Sequence, residues 1–140
     1  MPGIDECLLE AMTLPGARGA AIVDWTSGLA LGSVGDSPNG DHEATAAETA
    51  EVARSAAEYE AFAPAAPEPG TGTGMPGADR KELPVEDLMV TTRGGFHLIR
   101  FVKTTFDSSV FLYLWLDRHT GNLALARIRL RDLSERLVLV

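Results

Sequence analysis

Apolar positions along this chain change their period several times, and each change marks a predicted element. Ile4, Cys7, Leu8 and Met12 recur at i, i+3, i+4 and i+8, which predicts a short amphipathic helix over 4–13. Asp5 and Glu6 sit favourably at its positive end, and Pro15-Gly16 stops it. Two short β-prone runs, 19–25 and 29–33, flank Thr26-Ser27-Gly28 and predict a hairpin whose small residues suit close approach by a helix. Gly35–Asp41 has loop chemistry. Residues 42–63 are rich in alanine, the best helix former, and Ala46, Ala50, Ala53, Ala57 and Ala61 share one helical face. Such a face lets another helix, or a symmetry mate, come close.

The last third is the most strongly patterned. Residues 85–92, 96–103 and 110–117 read as three strands. The third carries Val110, Leu112, Leu114 and Leu116 on one face and Phe111, Tyr113 and Trp115 on the other, as expected for a central strand covered on both sides. Two periods compete in 123–137. Leu123, Ala126, Leu130, Leu133 and Leu137 fit a helix with Asn122 as N-cap, whereas Arg127, Arg129 and Arg131 alternate as in a strand. The helix accounts for more positions. Between 64 and 82 a Pro/Gly-rich stretch reads as a flexible loop. The order α-β-β-α-loop-β-β-β-α predicts a single domain over 1–140 of the α/β class, in its α+β form: a five-stranded antiparallel sheet with helices on both faces.

Charge narrows the partners. The chain carries a net −8, concentrated in residues 1–63, which hold 11 acids and 2 bases. That balance repels phosphate backbones, so no nucleic-acid partner is expected, and it favours docking to a basic protein surface. Cys7 is the only cysteine, so neither an intrachain disulfide nor a thiolate metal cluster is expected. The N-terminus lacks the basic and apolar regions of a signal peptide, and no apolar run approaches the ~18–20 residues of a membrane span. A cytoplasmic location without membrane insertion is the expectation.

Candidate chemistry is sparse. Gly72-Thr73-Gly74-Met75-Pro76-Gly77 matches G-x-G-x-x-G, but it lies in the Pro/Gly stretch with a proline inside, and a dinucleotide fingerprint needs a strand before it and a helix after. His42-Glu43 starts like H-E-x-x-H, yet position 46 is alanine. Ser37 has no evident base and reads as a turn residue, and His97 as a hydrogen-bonded sheet residue. Arg127, Arg129 and Arg131 could hold phosphate, but Asp132 and Glu135 nearby favour a solvated helix face. No catalytic, cofactor or metal residue is assigned.

Several phrases in order resemble the roadblock/dynein-light-chain family, with actinobacterial conservon-type members nearest. They are Gly19-Ala20-Ala21-Ile22-Val23-Asp24 with Ser27-Gly28, Val85–Thr92, Phe96–Arg100, Phe111–Arg118 and Gly121–Arg127. The resemblance implies a profilin-like sheet of order 2-1-5-4-3 that two copies extend into ten strands. It implies a dimer interface on the 42–63 helix and the 85–92 strand, with Ala46, Ala50, Ala53, Ala57, Val85, Leu88 and Val90 as its residues. It further implies a non-enzymatic homodimeric adaptor or regulator of a small Ras-like GTPase. A scaffold within a sensor-kinase complex is the alternative. The connection at 64–82 is longer than the family's tight link.

Overall fold

The computed structural model describes residues 3–62, 84–102 and 109–137. The elements run α1 (Ile4–Ala11), β1 (Ala17–Asp24), β2 (Leu29–Gly35), α2 (His42–Glu58), a single 3-10 turn (Glu60–Phe62), β3 (Asp87–Thr92), β4 (Gly95–Val102), β5 (Val110–Asp117) and α3 (Leu123–Arg136). The strands form one sheet of order β2-β1-β5-β4-β3 with every neighbouring pair antiparallel. This is the order the resemblance implied. The predicted loop at 64–82 and its glycine motif lie outside the described residues.

β5 sits at the centre because both of its faces are apolar. Leu112, Leu114 and Leu116 join Cys7, Leu8 and Ala11 of α1 and Leu130 and Leu133 of α3 in one cluster. Phe111, Tyr113 and Trp115 join the alanines of α2 in another, on the opposite face. Helices therefore cover both faces, α1 and α3 on one side and α2 on the other.

Local chemistry explains the element ends. The Asp41 carboxylate caps α2 by accepting from the amides of Glu43 (2.9 Å) and Ala44 (3.3 Å). The helix ends at Glu58 rather than running to 63, with Tyr59 extended. In the β1–β2 turn the Asp24 carboxylate accepts from the Thr26 amide (2.9 Å) and hydroxyl (2.6 Å), and Gly28 takes a positive φ of 76°. Burial raises the Asp24 pKa, but the hydrogen bonds from Thr26, Ser27 and Ser109 outweigh it, so the carboxyl titrates below its usual range.

For 123–137 the helical period wins. Asn122 Oδ1 accepts from the Leu125 amide at 3.0 Å, and Ala126, Leu130 and Leu133 are buried against the sheet. Tertiary burial selects the period with the larger apolar set.

Candidate functional site

The sheet has two open edges among the described residues, β2 and β3, and four of the nine exposed large apolar side chains lie on them. β3 is held at both ends by side chains from elsewhere. Arg127 of α3 grips the Asp87 carboxylate with two bonds (2.6 and 3.3 Å), and this contact raises the Arg127 pKa. At the other end Arg118 Nη1 donates to the Thr92 carbonyl at 2.6 Å. Between those anchors Met89 and Val90 are each 45% exposed. Pairing with β4 puts Val90 opposite His97 and Met89 opposite Leu98, so the two point to opposite faces.

On the α2 side, a row of side chains crosses the sheet from β1 to β3. The Arg18 guanidinium lies 3.9 Å from the centroid of the Trp115 ring, a cation–π contact. His97 stacks within 5° of parallel to Trp115 and bonds through Nδ1 to the Tyr113 hydroxyl at 2.8 Å. Val90 completes the row. Burial holds the His97 pKa below its ordinary value and pushes the Tyr113 phenol up. His97 is thus a packed, hydrogen-bonded sheet residue.

The residues expected at a dimer interface fall into three groups. Ala46, Ala50 and Ala53 are buried against the sheet of their own chain, in the cluster with Val23 and Phe111. The small-residue stripe is the seat of α2 on its own sheet. Ala57, Val85 and Leu88 are partly buried at the rim of that cluster, and Val90 alone of the seven is exposed. Exposed on α2 and just after it are Val52, Tyr59 and Phe62, with the acids Glu48, Glu51 and Glu58. Sequence reasoning missed these apolar positions. Ala46, Ala50 and Ala53 dominated the pattern, whereas Val52 and Tyr59, though two turns apart on one face, stand among the acids Glu48, Glu51 and Glu58.

The other candidates have local partners. Ser37 Oγ, Thr45 Oγ1 and Asn39 Oδ1 form a small network at the start of α2 (2.6–2.8 Å). His42 Nε2 donates to the Gly35 carbonyl at 2.9 Å. Arg131 lies 3.6 Å from Glu135, and Arg136 bonds Glu10 of α1 at 2.9 Å. Burial raises the Cys7 thiol to about 11, so it is a poor nucleophile near neutral pH. Among the described residues no three His, Cys, Asp or Glu side chains converge as a metal site would need, and no helix is long and apolar enough to cross a membrane. What the geometry offers is surface: open strand edges, apolar side chains beside them, and acids around one of them.

No protein-family model and no curated protein sequence matches the chain. Solved structures do. Myxococcus xanthus MglB superposes with a TM-score of 0.66 at 19% identity, covering 94% of this chain and 82% of that one. A Roadblock/LC7 domain from Streptomyces avermitilis superposes with a TM-score of 0.61 at 16% identity, covering 96% and 93%.

Proposed function

From the roadblock fold of this chain we infer a homodimeric, non-enzymatic adaptor that binds a small Ras-like GTPase and biases its nucleotide state. The observation that carries the reading is β3: an end strand anchored at Asp87 and Thr92, with an open outer edge and exposed Met89 and Val90 between. Two such edges pairing would continue the sheet across a two-fold axis and satisfy the unpaired backbone groups. The acids on the outer side of α2 would favour encounter with a basic partner surface.

The mechanism requires only differential affinity. A partner that binds the GTP- and GDP-loaded forms equally shifts nothing, however tightly it binds. No catalytic side chain need be supplied. Arg127 is committed to Asp87 and Arg136 to Glu10, so neither is free to reach a transferring phosphate without breaking an ion pair.

The test has two arms. Light scattering at micromolar concentration should give a dimer, and Val90→Lys should weaken it. Titration against a Ras-like GTPase encoded beside it, loaded in turn with GTP and GDP, should give different affinities. A monomer removes the premise. Equal affinity for the two forms, or no binding to either, shifts the assignment to the sensor-kinase scaffold.

A further inference from the structure

We propose that the opposite edge of the sheet, β2, is a second docking site, for a short extended segment of a partner protein carrying alternating apolar and basic side chains. The observations differ from those behind the β3 reading. Edge strands are ordinarily guarded by charges or proline. β2 reads Leu-Ala-Leu-Gly-Ser-Val-Gly, with neither. Leu29 is 65% and Leu31 46% exposed.

α1 extends this apolar edge. Ile4 and Leu8 lie directly over Gly32, while Glu10 faces α3 through its bond to Arg136. At 100° per residue the flank of α1 away from α3 carries Asp5 and Leu9, and Leu9 is 60% exposed. Three large apolar side chains thus gather at one sheet edge.

Charge supplies the second half of the recognition. On the other face α2 packs over β1 and β2, and Ala47 lies against Gly28 in the β1–β2 turn. The stripe of α2 that carries Ala47 also carries Glu43, Glu51 and Glu58, at i−4, i+4 and i+11 from it. The edge is therefore rimmed by acids from both helices. The only bases in residues 1–63 are Arg18 and Arg54. Arg18 is stacked on Trp115, and Arg54 Nη2 donates to the Trp25 carbonyl at 2.9 Å. Both keep their charge, but on that stripe of α2 the three acids outnumber the single Arg54.

The register sets the length of the ligand. β1 pairs Ile22 with Gly32 and Val23 with Ala30, so Leu31 is the extra residue of a bulge. Regular pairing resumes over Gly32–Val34, which accommodates a ligand ladder of about three residues by strand addition. Leu29 and Leu31 lie beyond one end of that ladder, whereas Leu9, between Leu8 over Gly32 and Met12 over Gly35, stands beside the ladder itself. The site is short, with Leu29 and Leu31 at one end and carboxylates at its margins.

The probe is the acetylated pentapeptide Lys-Val-Lys-Val-Lys, followed by amide hydrogen exchange and chemical shifts on the full chain. Saturable binding with slowed exchange at the outward-facing amides of Gly32–Val34, which alternate with those bonded to β1, is expected. Replacing every Lys by Glu, methylating alternate peptide nitrogens, or Leu31→Lys in the protein should each weaken binding at least about tenfold. Leu31→Lys should unfold at the wild-type temperature, which separates lost binding from lost folding. The proposal is overturned by absence of saturable binding, by equal binding of the Glu peptide, by indifference to N-methylation, or by slowed exchange at β3 instead. Slowed exchange at β2 that grows with protein concentration alone would assign this edge to a second copy and overturn it too. None of these outcomes depends on pairing through β3 or on GTPase binding.

Discussion

Replacing Ala53 by leucine distinguishes two roles for the alanine stripe. Ala53 is fully buried in the protomer, in one cluster with Val23, Phe111 and Tyr113. Three added carbons must fit among those neighbours, and overpacking a core of ordinary density costs roughly 1–3 kcal/mol. In a chain of this size that corresponds to a melting temperature lower by about 3–5 °C per kcal/mol. If the stripe is the seat of α2 on its own sheet, the drop will be the same at low and high protein concentration, because no second chain is involved. If the stripe instead belongs to an interface, the deficit must vary with concentration by mass action. Calorimetry of Ala53→Leu at two concentrations about a hundredfold apart makes the comparison. Val90→Lys serves as the contrast: an exposed edge substitution should change protomer stability by less than about 0.5 kcal/mol while altering association. An Ala53→Leu protein that melts normally but dissociates more readily would refute the packing assigned to α2.

Other expectations are read as directly. Burial holds the His97 pKa below its ordinary 6.5, so the unfolded chain takes up the proton first. Its contribution to stability is fully present above about 6.5 and is lost as pH falls through the lower folded value, so the pH slope of the melting temperature just below neutrality should flatten in His97→Gln. Cys7, with its thiol raised to about 11, should resist alkylation in the native protein and react at once in denaturant; fast native labelling would contradict its burial. Gly19→Ala should destabilise strongly, since a Cβ there would come within 1.8 Å of the Asp36 carbonyl oxygen, a backbone atom that cannot swing aside; an unchanged denaturation midpoint would show the β1–β2 end to be looser than described. Single replacements of Arg127, Arg129 or Arg131 should leave any stimulated GTP hydrolysis largely intact, and a loss of about a thousandfold in one of them would reveal an arginine supplied in trans.

Periodicity determined most of the architecture. The two apolar faces of 110–117 required a central strand with layers on both sides, because a strand with one wet face alternates. The i, i+3, i+4 set around Leu8 and the capped alanine run at 42 were likewise legible, since helix formation there depends on neighbours in sequence. Burial by distant residues could not be read in the same way. The alanine stripe announces close approach but does not say what approaches; only the assembled sheet puts it under Val23 and Phe111. The arginines at 127, 129 and 131 admit strand and helix alike until the sheet buries Ala126, Leu130 and Leu133 and leaves Arg127 beside Asp87, forty residues away in sequence. The candidate surfaces follow the same division. Which apolar side chains stay exposed is a property of the sheet's ends, and strand order depends on pairing between segments far apart in the chain, which no local pattern encodes. Tertiary pairing, by leaving β2 and β3 as the outer strands, therefore decided where the open edges of this sheet lie.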